Sequence, residues 1–219
     1  MPIELFKLEN LREGIFLERQ NRFAGTIKYN GKIDTAHIHD PGRLKELLQT
    51  GTSVLFTDSR GKLKYYIKAV EKNGEWILLD SALHSKIALR LFDILPEFSK
   101  VNTIAKEVPL GNSRIDFLLD DVPLEVKGVS LVIEETALFP DAPTKRGRRH
   151  VKEIIENNGM LLFLIFRNAE KFKPNAKTDP QFANLLSKAR EKKVKIITAQ
   201  ISFDGESILY EGKVKLGDF

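Results

Sequence analysis

Asp116, Glu125 and Lys127 put two carboxylates and an ammonium into one short stretch, NSRIDFLLDDVPLEVKGVS at Asn112–Ser130. Ile115, Phe117 and Leu119 alternate with Arg114 and Asp116, and Leu124 and Val126 alternate with Glu125 and Lys127. Successive side chains of a strand point to opposite faces, so Glu125 and Lys127 project together. If the two runs pair as a hairpin through Asp120-Asp121-Val122-Pro123, Asp116 joins them on a polar patch of an otherwise apolar hairpin. Two hard anionic ligands at close range suit a divalent cation, Mg²⁺ or Mn²⁺. An adjacent lysine is placed to orient an attacking water or to neutralise charge growing on a phosphate. The plain alternative is a solvated salt-bridge face, since acid-x-Lys is common on strands.

The elements that must position this stretch can be read from the rest of the chain. Residues Gly14 to Asp80 are rich in short alternating runs, with Asn30-Gly31 and Asn73-Gly74 as tight turns. Between them, Asp40 as N-cap and Pro41 as first helical residue predict a helix ending at Gly51, with Leu44, Leu47 and Leu48 on its apolar face. Strands, a short helix and further strands is the order of an OB-fold barrel, or of another small Greek-key barrel. Ser81 to Leu95 has helical spacing and is stopped by Pro96. The boundary therefore falls at 80/81, giving a small all-β domain over 1–80 and an α/β domain over 81–219. In the second, IAKEVPLG leads into the hairpin and brings Glu107 near the acids. Thr144 caps a helix from Lys145 to Asn157, GMLLFLIFRN is a strand buried on both faces, KFKPNAKT is a loop, and Asp179-Pro180 opens a last helix. Two strands, VKIITAQISFD and SILYEGKVKL, finish a mixed sheet flanked by helices.

Composition narrows the function classes. The chain has 219 residues, 42% hydrophobic and 30% charged, and it has no cysteine. That excludes a disulfide framework and thiolate metal sites, and it fits a cytoplasmic protein. No apolar run approaches the length of a membrane span, and the first residues do not read as a signal peptide. A net charge of +5 permits a polyanionic partner. Candidate phosphate contacts are Arg19, Arg22, Lys28 and Arg43 in the first domain. Lys145, Arg146, Arg148 and Arg149 crowd the start of a helix, where cations oppose the macrodipole and a bound phosphate would offset the cost. His37 and His39 lie two apart in a strand-like run and read as structural or phosphate-facing.

The acid, E-x-K pattern resembles the core of the PD-(D/E)XK nuclease superfamily, although the proline of that name is absent and Arg114-Ile115 precede Asp116. Five ordered blocks extend the likeness across the chain: TAHIHDPGRL, SRIDFLL with LEVKGVSL, ALFPDAPTKRGRRH, LFLIFRN with F-K-P, and DPQFANLLSKAREKKVKI. Together they resemble the sugar fermentation stimulation (SfsA) family. The resemblance implies an N-terminal OB-fold, a C-terminal PD-(D/E)XK-type domain and DNA as partner, with no small-molecule cofactor. It implies Asp116, Glu125 and Lys127 as the nuclease-like triad. Asp141, Thr144 and His150 would belong to a loop-and-helix motif bordering the site. Two departures stand out. His39-Asp40-Pro41-Gly42-Arg43 replaces the family's P-N-T-G-R, which weakens Arg43 as a DNA contact, and Gly128 replaces the asparagine of E-V-K-N-V-T. Three functions follow as expectations: a metal-dependent DNA nuclease, a non-catalytic DNA-binding regulator of sugar-utilisation (maltose) genes on a nuclease fold, and, less in keeping with a basic chain, a metal enzyme acting on small molecules.

Overall fold

The structure is a computed structural model that describes residues 1–40 and 42–219. Its elements in chain order are β1 (Ile3–Lys7), β2 (Arg12–Asn21), β3 (Ala24–Tyr29), β4 (Lys32–Ile38), β5 (Ser53–Asp58), β6 (Tyr65–Lys72), β7 (Glu75–Leu78), α1 (His84–Phe92), β8 (Ile104–Leu110), β9 (Ser113–Leu119), β10 (Val122–Val129), β11 (Val132–Ile133), β12 (Thr136–Phe139), α2 (Lys145–Glu156), β13 (Met160–Ile165), β14 (Lys171–Pro174), α3 (Pro180–Glu191), β15 (Lys195–Phe203), β16 (Ser207–Gly212) and β17 (Lys215–Leu216). None of the described helices is long and apolar enough to cross a membrane. Two compact units form: Met1–Leu83 with Ile201–Glu211, and His84–Gln200 with Gly212–Phe219. The chain thus returns to the first unit near its end, which a single cut at 80/81 does not capture.

The first unit is a closed five-stranded barrel, the OB order expected from the sequence. β2 pairs with β3 and β5, β3 with β4, and β5 with β6, and a parallel β4–β6 pairing closes the circuit. Phe16, Ile27, Ile38, Phe56 and Ile67 fill the interior. Both Asn-Gly turns form, with positive φ at each residue as such two-residue turns require. The expected helix after Asp40 does not form. Pro41 lies outside the described residues, and Leu44 adopts φ +50, which an α-helix does not admit. One turn results, in which Leu47 and Leu48 N–H both reach Leu44 O, and the apolar face survives because Leu44, Leu47 and Leu48 are buried.

In the second unit the mixed sheet runs β15-β13-β10-β9-β8. β13 lies parallel to both β10 and β15, and residues Leu161–Ile165 are buried, as a strand covered on both faces demands. β9 is antiparallel to β10 and β8. α2 and α3 both carry working N-caps: Thr144 accepts from Gly147 N, and Asp179 accepts from Phe182 N ahead of Pro180. Ile154, Phe163, Phe172, Phe182 and Leu186 form the core they share with the sheet. The segment KFKPNAKT, expected as a loop, contributes strand β14 to a small second sheet, β11-β12-β14-β17. The run SILYEGKVKL divides at Gly212, whose φ is +139, so β16 and β17 enter different sheets.

Candidate active site

β9 and β10 form the hairpin, with a tighter turn than expected. Leu119 pairs with Val122, so the turn is Asp120-Asp121 alone, and Val122 and Pro123 already belong to β10. Asp120 adopts φ +51, and its carboxylate accepts from Thr103 N at 2.8 Å, which fixes the turn. The antiparallel register runs only as far as Phe117–Leu124. One step beyond, the Asp116 side chain takes over the ladder's role: Val126 N–H donates to Asp116 Oδ2 at 2.7 Å. A carboxylate thereby satisfies a backbone donor that would otherwise be orphaned, and Asp116 is held beside Glu125.

Glu125 is not on a solvated patch. It is 2% exposed because α2 lies over it. His150, 1% exposed, reaches Glu125 Oε1 through Nδ1, and Lys127 Nζ donates to the same oxygen. Arg146 Nε–H donates to His150 Nε2 at 3.3 Å. An acceptor at Nε2 requires the proton on Nδ1, so His150 donates to Glu125. Glu125 Oε2 is buried and has no hydrogen-bond partner among the described residues. Burial pushes the Glu125 carboxyl up, but Lys127 and His150 together outweigh it and hold the group below the usual range. Asp116 goes the other way: burial first, then the charge of Glu125, push it up to about 6. Two neighbouring carboxyls are thus driven apart by their surroundings, a frequent property of catalytic pairs.

The surrounding residues divide by what they touch. Glu107 sits opposite Asp116, between the pairs Lys106–Phe117 and Val108–Ile115, with φ +53, and its charge adds to the rise at Asp116. Asp141 lies in the loop before α2. That loop is pinned by the segment that leads into α3: Thr144 N donates to Asp179 at 2.9 Å and Asn175 Nδ2 donates to Pro140 O at 3.1 Å, after a cis Phe139–Pro140 bond. Asp179, read from sequence only as a cap, therefore also anchors the entrance to the site helix. Lys145, Arg148 and Arg149, with Lys152, line a depression of about 560 Å³ against Gln181 and Asn184. Arg148 bonds Gln181, and Arg149 donates to Ser113 Oγ at 2.9 Å. Arg146, also exposed, bonds His150 of the Glu125 cluster.

All five N–H donors of Arg19 are engaged: Nε to Asn21 O, Nη1 to Gly42 O and Arg43 O, Nη2 to Arg22 O and Asp40 O. Arg19 holds the loop around Gly42 and has no donor to give a phosphate. Arg22 lies over the Phe23 ring at 5.3 Å. Arg43 is exposed on the loop that Arg19 holds, while Lys28 is exposed near the other end of β3 and does not join them. Gly128, where the family carries an amide, has no room for one: a Cβ there would stand 2.3 Å from His84 Cε1. The His84 ring, stacked on Phe166 at 5.1 Å, fills that space.

Among the described residues no group of three or more His, Asp or Glu side chains is arranged to hold a metal ion. The donor set nonetheless fits a hard cation that keeps several waters. It offers two adjacent carboxylates and, in Glu125 Oε2, a buried acceptor without a protein donor.

A closed barrel joined to a mixed sheet that carries an acid, acid and lysine cluster defines the class. The model of the sugar fermentation stimulation protein RE domain matches residues 82–207, and that of the SfsA N-terminal OB domain matches residues 17–79. A sugar fermentation stimulation protein homolog of Saccharolobus solfataricus is 43% identical over 95% of this chain and 86% of its own. One from Thermoplasma volcanium is 41% identical over 90% of this chain and 91% of its own. Among solved structures, that of Pyrococcus furiosus SfsA in complex with Ca²⁺ superposes with a TM-score of 0.91 at 30% identity, covering 99% of this chain and 100% of that one. The chain belongs to the SfsA family.

Proposed function

We propose that this chain is a metal-dependent DNA nuclease whose site is Asp116, Glu125 and Lys127, on a PD-(D/E)XK-like second unit. The observation that carries the reading is the division of labour at Glu125: one oxygen is held by Lys127 and His150, and the other is buried without a protein donor. A buried carboxylate oxygen without a partner is costly unless something else satisfies it. Asp116 and Glu125 would hold Mg²⁺ or Mn²⁺; the Pyrococcus furiosus relative is described with Ca²⁺, another oxygen-seeking cation. Such an ion supplies Lewis acidity to a phosphoryl oxygen and lowers the pKa of a water.

The remaining roles fall to the protein. Lys127, tied to Glu125, presents its ammonium where negative charge grows as water adds to phosphorus and a P–O ester bond breaks. His150 and Arg146 hold Glu125 in one orientation. Lys145, Arg148 and Arg149 line a cationic surface suited to the DNA backbone, contacts that position a strand without reading its sequence. A second reading, a DNA-binding regulator without turnover, draws on the names of the relatives, which refer to sugar fermentation. Incubation of DNA with Mg²⁺ or Mn²⁺ separates the two. The nuclease reading expects cleavage in the wild type and none in Asp116→Ala; equal cleavage in both would remove the site assignment.

A further inference from the structure

The first unit contains a second cluster of ionisable side chains, unrelated to the acids of β9 and β10. β4 and β6 pair in parallel with His37 beside Tyr66, and His39 follows two residues on. The three rings pack edge to face or tilted, with centroids 5.1 Å (His37–Tyr66), 5.4 Å (His37–His39) and 6.1 Å (His39–Tyr66) apart. All three are partly exposed, so they are not barrel core.

Behind the rings sits Asp80, 1% exposed. Its Oδ1 accepts from the Tyr66 hydroxyl and from Ala82 N at 3.1 Å, and its Oδ2 accepts from Lys68 Nζ at 2.6 Å. Lys68 also lies 3.6 Å from the centre of the Tyr66 ring. The hydroxyl has one proton and gives it to Asp80. At its 2.8 Å contact with His39 Nδ1 the Tyr66 oxygen therefore accepts, and the imidazole donates. The buried carboxylate fixes Tyr66, Tyr66 fixes His39, and His39 is left with Nε2 as its other nitrogen on a side chain that is 45% exposed. Burying a carboxylate is expensive, and here the arrangement it maintains is a set of outward rings.

These rings face a cleft of about 880 Å³, which is bordered on another side by the β5–β6 loop with Arg60 and Lys62. The lining acids are Glu9 and Asp58, and Asp58 is paired with Arg12. Arg60 and Lys62 are exposed and make no ion pair among the described residues. Ring faces next to uncommitted cations match a ligand that carries both a flat base and a phosphate. In a duplex the base faces are hidden in the stack, so only an unpaired strand offers them.

We propose that this cleft binds an unpaired nucleotide of a single-stranded nucleic acid, with the base against His37 and Tyr66 and the phosphate at His39 Nε2, Arg60 and Lys62. The choice of a nucleic-acid partner rests on the nuclease reading; the preference for a single strand rests on the cleft alone.

The test uses the full chain carrying Glu125→Ala, with chelator present, so that binding is read without cleavage. Fluorescence anisotropy follows labelled oligo-dT and oligo-U dodecamers and a mixed-sequence DNA duplex of equal length. The double substitution Arg60→Glu/Lys62→Glu lies on an exposed loop and leaves the barrel interior untouched; His37→Ala removes one ring, and a thermal melt checks its fold. Each is expected to weaken binding of a single-stranded dodecamer about tenfold or more, the scale of one lost stacking or phosphate contact. Duplex affinity is expected to stay within about twofold. Such a loss with either sugar supports the cleft. Unchanged single-strand affinity in both variants, an equal loss for duplex and single strand, or no binding of either dodecamer overturns it. Loss of cleavage in the wild-type background would instead bear on the nuclease reading, so the two can fail separately.

Discussion

Replacing Asp116 by Asn should stabilise the metal-free protein. The side chain is pushed from an ordinary 3.8 up to about 6, by burial and then by the charge of Glu125. A raised folded-state value means that the native state holds the proton more tightly than the unfolded chain, so ionisation works against folding. At roughly 1.4 kcal/mol per unit, a shift of about two units corresponds to about 3 kcal/mol of lost stability once the pH exceeds about 6. Below about 3.8 the group is protonated in both states and the loss disappears. Asparagine keeps the acceptor that Val126 N–H uses and has nearly the same volume, but it carries no charge. In chelator at pH 8, Asp116→Asn is therefore expected to gain about 2–3 kcal/mol, or roughly 5–10 °C in the midpoint of the transition reporting the second unit. At pH 4 the gain should nearly vanish. Chemical and thermal unfolding at both pH values measure it. A variant no more stable than wild type at pH 8, or one with the same advantage at both pH values, would refute the electrostatic account of this site.

Further expectations concern neighbouring residues. Glu125→Gln should have the opposite sign, costing about 3 kcal/mol at pH 7, because it strips Lys127 and His150 of their shared partner. Glu125 is held below its ordinary 4.5, so its contribution is present above that pH and lost as pH falls through the lower folded value; unfolding titrations of both proteins show this as convergence in acid. Arg19→Ala should loosen the backbone at Gly42 and Arg43 and destabilise the first unit by about 2–3 kcal/mol, and Arg19→Lys should not rescue it, since an ammonium cannot span five carbonyls; hydrogen exchange of Gly42 and Arg43 amides and a melt report it. Gly128→Asn should cost about 1–3 kcal/mol by displacing the His84 ring, and His84→Ala should recover much of the loss; a double-mutant cycle gives the coupling. Neutralising Lys145 and Arg149 together should weaken DNA binding at 0.1 M salt about tenfold and reduce its salt dependence by roughly two charges.

What could be read from the chain depended on how local each feature is. The alternation over β9 and β10 fixes which side chains share a face, so Asp116, Glu125 and Lys127 were legible as a group. The Asn-Gly turns, the caps at Thr144 and Asp179 and the apolar run of β13 are equally local, and each formed. The burial of Glu125 was not legible, because it depends on a helix that begins twenty residues later and on the rotation that brings His150 over β10. Nothing in the spacing of KRGRRH says which cation bonds His150; the structure gives that bond to Arg146, which stays exposed like Lys145 and Arg149. The tie of Arg19 to the loop at Gly42 was not legible, because its partners are backbone carbonyls, which have no sequence signature. The helix expected after Asp40 failed on a backbone feature, the left-handed Leu44, although its apolar positions were correct. β14 was missed because KFKP is only four residues long and ends in proline, too short a run for its alternation to stand out.

The most direct measurement of the central claim is cleavage of labelled single- and double-stranded DNA with Mg²⁺ or Mn²⁺ by wild type and Glu125→Ala, with a binding titration on the same preparations. The account predicts metal-dependent cutting by the wild type, loss of at least a hundredfold in the variant, and DNA affinity equal or tighter once the carboxylate is gone. Binding without cutting, equal in both proteins, would contradict it and leave the acids of β9 and β10 as a structural cluster in a DNA-binding protein.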